Sequence, residues 1–343
     1  MRLFHEHEQV VICHEPEAGL RAVIAVHDTT LGPALGGIRM WTYDSDEAAL
    51  TDVLRLSRGM TYKNSAAGLP LGGGKTVVIG DPRTQKSELL FRALGRFIQS
   101  VGGRYLAAED VGTSTADAEI VARETRYITG LPIEKGGSGD PSPMTAWGVV
   151  CGMRAAIEEA GLGDGFEGVR VAVQGAGHVG GDVVRHLIAA GARVTVADIY
   201  ADRIEPLVAL GAEQADPLTV HALECDVYSP CALGAVIRPE TVEELRCRVV
   251  AGAANNQLLD GAMGDALHAR EILYAPDFVI NAGGVIHLAG YETLGWTDDQ
   301  MAKRLAGIGD TLHEVFNAAE RDGVSTDEAA QRLARARIDA ART

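Results

Sequence analysis

The chain is poor in cysteine, in lysine and in long apolar runs, and it has no excess of positive charge. Its five cysteines (Cys13, Cys151, Cys225, Cys231 and Cys247) are scattered and odd in number. That usage excludes a disulfide framework and fits free thiols in a reducing, cytoplasmic setting. Cys225 and Cys231 lack a second pair and read as core thiols rather than zinc ligands. No stretch approaches the roughly 18 apolar residues of a membrane helix. The opening MRLFHEHEQV has neither the basic head nor the apolar core of a signal peptide. Against 31 basic residues stand 47 acidic ones, a formal net charge of −16. Such a chain is repelled by phosphate backbones, which argues against nucleic acid as a partner. In the acidic start His5-Glu6-His7-Glu8 no third metal ligand is near, so the two histidines read as solvated and no metal is expected. Internal repeats and low-complexity segments are absent as well.

What remains is an ordinary globular balance, 46% hydrophobic and 23% charged over 343 residues, with 41 glycines. That length exceeds one ordinary core and predicts two domains. Strand-like runs stand at Val10–Cys13, Ala22–His27, Thr76–Ile79 and Tyr105–Ala108. Between them, a helix-period segment from Ser45 opens on the capping pair Asp44 and Glu47. A second helix is expected over Ser87–Val101. The Gly- and Pro-rich stretch Lys135–Pro143 marks a hinge. Past it, Ser142 as cap and Pro143 at the first helical position open a helix over Met144–Ala160. The second half alternates short strands (Val169–Val173, Arg193–Asp198, Asp226–Tyr228, Val249–Ala251, Phe278–Ile280) with helices, which predicts a parallel, doubly wound sheet. The tail reads as one helix from about Asp298 to Arg321, a turn at Asp322-Gly323 and a last helix opened by Ser325 and Glu328.

Two motifs carry chemistry. Gly175-Ala176-Gly177-His178-Val179-Gly180 follows a strand and precedes a helix, and the next strand ends in Asp198. This is the dinucleotide fingerprint in its required context. Gly175 allows the tight turn, Gly177 the approach of a pyrophosphate, and Gly180 close packing of helix on strand. Asp198 would accept hydrogen bonds from the adenosine ribose and repel a 2′-phosphate, which favours NAD. Arg203, five residues on, keeps NADP open. His178 is expected to pack within the turn.

The second motif is Gly68-Leu-Pro-Leu-Gly-Gly-Gly-Lys75-Thr76. It is no ATP-binding loop, because Leu69 stands where the first glycine should and a strand follows where a helix should. Only five of the basic residues are lysines (Lys63, Lys75, Lys86, Lys135, Lys303). Lys63 and Lys75 flank this one Gly-rich turn. Unlike arginine, a lysine can lose its proton at reachable pH. The pair therefore suits one lysine gripping an anionic substrate and the other serving as general base. Asp110 follows the strand Tyr105–Ala108, where site chemistry in α/β folds is found.

Taken together these segments resemble the Glu/Leu/Phe/Val dehydrogenase family. The likeness runs through Leu31–Trp41, Met60–Asn64, Leu71–Lys75, Glu109–Thr113, Ser142–Ala146, the glycine triplet, Ala251–Gln257 and Tyr274–Gly284. It implies a reversible oxidative deamination in which an L-amino acid, water and NAD⁺ give a 2-oxo acid, ammonium and NADH. By the same likeness Lys63 holds the substrate carboxylate, with Met60 beside it and backbone groups at Gly36 and Gly37. Lys75 activates water, and Asp110 shuttles the proton of the amino nitrogen. Thr145 holds the nicotinamide carboxamide, and Ala253, Asn255 and Asn281 line the cofactor side. Leu35, Ala108, Val285 and Leu288 line the side-chain pocket. Their apolar character speaks against glutamate. The bulk of Leu35 and Val285 points to leucine, valine or isoleucine, while Ile286–Trp296 looks more like the phenylalanine enzymes. The resemblance further implies an α/β chain of two domains with a closing cleft. The first spans 1–136 and serves substrate binding and oligomerisation, joined by the C-terminal helix 319–343. The second is a Rossmann NAD-binding domain over 137–318. A homo-oligomer is expected. An inactive relative that senses NAD or amino acids stays as the rival reading; it would be free to lose Lys75 and Asp110, which are both present.

Overall fold

The computed structural model describes residues Glu6–Arg342. Two units group by contact, one of 1–140, 291–295 and 334–343, the other of 141–290 and 296–333.

The first unit is built on a five-stranded mixed sheet in the order β1-β2-β4-β3-β5. Its strands are β1 (Gln9–Glu15), β2 (Leu20–Asp28), β3 (Ala34–Trp41), β4 (Gly72–Ile79) and β5 (Tyr105–Glu109). β3 runs parallel to both β4 and β5, and the antiparallel pair β1–β2 closes one side. Helix α1 (Asp46–Ala66) covers one face through Val53 and Leu54, packed with Val23, Ala25 and Val77. Helices α2 (Glu88–Ser100) and α3 (Thr115–Val121) cover the other, over Ile24, Val26, Ile38, Met40, Val78 and Tyr105. Side chains alternate along a strand. Leu35, Gly37 and Arg39 of β3 therefore share the α1 face with Gly73 and Lys75 of β4 and Ala108 of β5.

Several local expectations shift. Ser45, not Asp44, caps α1, its side chain accepting from Ala48 N. The glycines before Lys75 form no turn: β4 starts at Gly72, and none of Gly72, Gly73 and Gly74 has a positive φ. They are small because neighbours come close, since a Cβ on Gly73 would stand 2.0 Å from Thr61 N and one on Gly74 2.6 Å from the Tyr105 ring. Strand β3 went unread because Gly36 and Gly37 interrupt its apolar pattern. His7 is not solvated: its Nε2 lies 2.8 Å from Ser57 Oγ and 3.1 Å from Leu54 O on α1. His5 lies outside the described residues.

The second unit holds a six-stranded parallel sheet in the order β11-β10-β9-β6-β7-β8. Its strands are β6 (Arg170–Gln174), β7 (Arg193–Ala197), β8 (Glu213–Gln214), β9 (Val227–Pro230), β10 (Val249–Val250) and β11 (Leu273–Tyr274). This is the doubly wound order, with its switch point between β6 and β9. Its helices include α4 (Ser142–Glu159) and α5 (His178–Ala189), then α6 (Ala201–Val208), α7 (Pro239–Glu244) and α8 (Gly261–Ala269). Ser142 and Pro143 lie inside α4, whose cap position is Pro141. Phe278–Ile280 is not a strand but part of a helical turn, α9 (Asp277–Ile280), because Pro276 ends the extended run after β11 and its carbonyl accepts from Val279 and Ile280. Helix α10 (Gly283–Leu288) follows, then α11 (Asp298–Asp322) and α12 (Thr326–Arg342), separated by Gly323 in the left-handed region at φ 63°. The grouping returns to the first unit at Ala334, inside α12. There Ala334 O accepts from Ser65 Oγ at 2.8 Å and Arg337 donates to Ala66 O at 2.8 Å. Among the described residues no helix is long and apolar enough to cross a membrane.

Candidate active site

The site in the first unit grows from the α1 face of the sheet. Lys75 is only 5% exposed, and its Nζ lies 2.9 Å from Asp110 Oδ2. Asp110 sits one residue past β5. Its main chain is fixed by Thr113, whose Oγ1 accepts from Asp110 N at 2.9 Å and donates to Ile38 O at 2.7 Å. Gly112, at φ 80°, lets the same loop lie against Met40 O, 1.9 Å from where a Cβ would stand. The carboxylate is thereby tied to β3. Gly37 completes the arrangement: a Cβ there would meet Asp110 Cβ at 2.6 Å, Glu109 O at 2.9 Å and Lys75 Nζ at 3.2 Å. Only glycine allows amine and carboxylate to meet over that strand.

Burial alone would push the Asp110 carboxyl up, but Lys75 and Arg39 beside it outweigh this and hold it at about 2. Arg39 is a residue that sequence reasoning missed. Its Nε donates to the same Asp110 Oδ2 at 3.1 Å, and its Nη1 to Asp52 Oδ2 of α1 at 3.2 Å. Tyr43 OH also donates to Asp52 Oδ2, at 2.6 Å. Alternation on β3 would have placed Arg39 here had the strand been read.

The remaining expected groups of this unit fall around the pair. Leu35 (1% exposed) and Ala108 (5%) are buried on the same face. Met60 approaches β3, its Cγ 3.3 Å from where a Gly36 Cβ would stand, though the nearest atom there is Gly74 O at 1.8 Å. Gly36 O accepts from Tyr105 OH at 2.7 Å. Lys63 is half-buried on α1, one turn beyond Met60. Asn64 next to it donates to Gly72 O at 2.6 Å and pins α1 to β4.

In the second unit the fingerprint stands at the switch point. Gly175 has φ 103°, and a Cβ on it would strike Ala232, just past β9, at 2.8 Å. One on Gly180 would strike Gly175 O at 2.1 Å. One on Gly177 would meet nothing within 4 Å, so space is open before α5, whose first turn has no side-chain cap. A diphosphate fits such a helix start. His178, against expectation, is exposed rather than packed, and Val179 is half-buried. The Asp198 carboxylate accepts from Ala176 N at 2.7 Å and Tyr200 N at 2.9 Å, bracing the glycine turn. Arg203 lies 3.8 Å from Asp198 and stacks on Tyr200.

Asn281 Nδ2 donates to Asn255 Oδ1 at 2.9 Å and to Ala253 O at 3.1 Å. Its buried Oδ1 accepts nothing among the described residues, an acceptor suited to a donor on a bound dinucleotide. Gln257, another residue missed, ties Gly252 O and Ala254 O into the same loop. Thr145 Oγ1 donates to Pro141 O and faces Gly284, where a Cβ would come within 2.9 Å. Val285 and Leu288 lie in α10, half-buried and buried.

A Rossmann-type sheet with room for a diphosphate, in a chain that also buries an amine against a carboxylate, puts the protein among the dinucleotide-dependent oxidoreductases. Two family models cover the chain: "Glu/Leu/Phe/Val dehydrogenase, dimerisation domain" over 7–127, and "Glutamate/Leucine/Phenylalanine/Valine dehydrogenase" over 136–201 and 201–343. A leucine dehydrogenase of Thermoactinomyces intermedius is 54% identical over 336 residues, 98% of this chain and 92% of its own. A phenylalanine dehydrogenase of Caldalkalibacillus thermarum is 46% identical, with 97% and 91% covered. The crystal structure of L-tryptophan dehydrogenase from Nostoc punctiforme superimposes with a TM-score of 0.85 at 40% identity, covering 98% and 97%. This chain belongs to the Glu/Leu/Phe/Val dehydrogenase family of NAD(P)-dependent amino acid dehydrogenases.

Proposed function

We propose that the protein catalyses the NAD-dependent, reversible oxidative deamination of a branched aliphatic L-amino acid, leucine before valine and isoleucine. The observation that carries this reading is the buried Lys75–Asp110 pair, 2.9 Å apart, with apolar Leu35 and Ala108 on the same sheet face. A second substrate carboxylate finds no unengaged cation on β3, because Arg39 is already held by Asp110 and Asp52. That disfavours glutamate. The higher identity to a leucine than to a phenylalanine dehydrogenase supports the aliphatic choice.

Each residue has a task in this reading. Lys63 holds the substrate carboxylate, with Met60 and the backbone at Gly36 and Gly37. Asp110 takes the ammonium proton, so that the nitrogen lone pair is free when hydride leaves the α-carbon. Lys75 in its neutral form accepts a proton from the water that attacks the iminium carbon, and its ammonium then holds the resulting hydroxyl oxygen by a hydrogen bond. Asp110 returns its proton to the amino nitrogen, and as ammonia departs the carboxylate takes the hydroxyl proton, leaving the 2-oxo acid. Gly175, Gly177, Val179 and Gly180 cradle the dinucleotide, with His178 at its rim and Asp198 at the adenosine ribose. Asn281, Asn255, Ala253 and Thr145 orient the nicotinamide end, and Val285 and Leu288 contribute apolar surface for the side chain. Bound NAD⁺ supplies the hydride acceptor. A homo-oligomer assembled through the first unit belongs to the same reading, supported by the dimerisation family model that spans it.

The test mixes the protein with NAD⁺ and, one at a time, L-leucine, L-valine, L-isoleucine, L-phenylalanine and L-glutamate at alkaline pH, following NADH absorbance. The highest kcat/KM is expected with leucine. Phenylalanine at the head of the series would transfer the reading to an aromatic amino acid. Silence with every substrate while NAD still binds would leave a sensor.

A further inference from the structure

We infer that Arg39, braced by Asp52 and Tyr43, is a positioning residue that sets both the place of the Asp110 carboxylate and the pH range in which that carboxylate can take a proton. The inference rests on the catalytic reading above and adds a residue set to it. Its basis is geometric. One oxygen, Asp110 Oδ2, receives both Lys75 Nζ at 2.9 Å and Arg39 Nε at 3.1 Å. Arg39 in turn reaches Asp52 Oδ2 at 3.2 Å, and that oxygen also takes the Tyr43 hydroxyl at 2.6 Å. The result is a line of alternating charge, Lys75–Asp110–Arg39–Asp52. Its arginine and both its carboxylates are less than one-fifth exposed, and Lys75 only 6%.

An arginine at the centre of this line differs from a lysine in two respects: it keeps its charge at every working pH, and its planar fork fixes two carboxylates at once. Burial works against the Arg39 charge, but Asp110 and Asp52 more than offset it and hold its proton more tightly than usual. Tyr43 is pushed up by burial and by Asp52, so it remains a donor to that carboxylate. When Lys75 turns toward substrate and water, Arg39 still anchors the Asp110 carboxylate. The Arg39 charge disfavours a proton on the Asp110 carboxylate, and Asp52 tempers the effect by neutralising part of the Arg39 charge. Other charged groups beside the line are Arg55, 3.3 Å from Asp52 Oδ1, and Glu109, next to Asp110 in the chain and bonded to Thr115.

The two neighbours therefore push the pH profile in opposite directions. Arg39→Gln removes the cation, and the ascending limb of kcat against pH should move up by roughly one pH unit. Asp52→Asn leaves Arg39 less neutralised, and the limb should move down by roughly half a unit or less. Arg39→Lys keeps the charge without the fork; the limb should stay near its wild-type position while kcat falls. NAD binding, which uses the other unit, checks that each variant is folded. If Arg39→Gln does not fold, Asp52→Asn and Arg39→Lys still decide the matter. Rate losses with the limb unmoved in both Arg39→Gln and Asp52→Asn, or a limb displaced equally by Arg39→Lys, would reduce Arg39 to a structural prop and overturn the inference. Wild-type turnover in the amino acid panel reports separately on the catalytic reading: turnover with an unmoved limb sinks the inference alone, and no turnover at all sinks both.

Discussion

Gly37→Ala is the sharpest perturbation the site offers. Gly37 does not have a positive φ, so alanine suits the backbone there and the whole penalty is one of contact. The new methyl would stand 2.6 Å from Asp110 Cβ and 2.9 Å from the Glu109 carbonyl oxygen, distances real Cβ atoms do not keep. β3 cannot withdraw without breaking its ladder, in which Gly37 is paired with Ala108 of β5. The Asp110 side chain has to retreat by the better part of an ångström, and its 2.9 Å bond to Lys75 stretches with it. Overpacking of this kind costs about 1–3 kcal/mol of stability. A reacting group displaced by ~1 Å loses about 10²-fold in rate. The expected outcome is a fold that survives with a lowered Tm and a kcat down by roughly two orders of magnitude, read from NADH production with L-leucine. Gly59→Ala on α1 is the control. Its Cβ meets nothing within 4 Å, and a helical glycine replaced by alanine should gain about 1 kcal/mol with turnover unchanged. If Gly37→Ala kept kcat within twofold of wild type, the claim that this glycine exists to let Lys75 and Asp110 meet would be wrong.

The two lysines should separate by kinetic parameter. Lys75→Ala removes the proposed general base and should cost about 10²–10⁴ in kcat while NAD binding, measured by fluorescence titration, stays intact; Lys63→Ala should chiefly raise KM, and an unchanged KM would assign the carboxylate grip to another group. A third expectation concerns stability away from the site. Burial, and then the charge of Asp277, raise the Asp327 carboxyl to about 6. A carboxyl raised on folding favours the folded state below its unfolded value near 4, and the benefit is lost as pH rises through 6. Asp327→Asn removes the penalty carried at neutral pH. It should stabilise by an order of 2 kcal/mol at pH 7.5 and by nothing at pH 4, compared through Tm at the two pH values, and equal shifts at both would refute the cause given.

What the residues announced in advance was whatever depends on short-range rules. The turn Gly175–Gly180 needs three glycines at fixed offsets, and the structure shows a separate steric reason for two of them, Gly175 and Gly180, and open space at Gly177. The parallel sheet was legible because each of its central strands is a brief apolar run bounded by turns. Phe278–Ile280 has the same composition as those strands, and apolar runs this short do not distinguish strand from helix. Pro276 and the backbone bonds to its carbonyl settled it as helical. The glycines before Lys75 were read as a turn because glycine is rare in strands. In fact they are strand residues kept small by the Asp28 backbone, α1 and Tyr105, neighbours distant in sequence, and proximity of that kind leaves no local signal.

Arg39 illustrates a different blind spot. Lysine is scarce in this chain, so Lys63 and Lys75 stand out by rarity alone, while arginine is the default cation and no single one attracts notice. Rarity is a property of composition, whereas the work of a charge depends on what it faces. The missing step was to see Ala34–Trp41 as a strand, since a period of two then sets residues 35, 37 and 39 on one face and gives an apolar wall, a gap and a cation in succession. The gap hid the strand, because Gly36-Gly37 breaks the pattern by which strands are found. The same Gly37 that lets Lys75 reach Asp110 therefore obscured the element that carries Arg39, and a strand interrupted by paired glycines beside a buried lysine is better read as a strand with a site against it than as a loop.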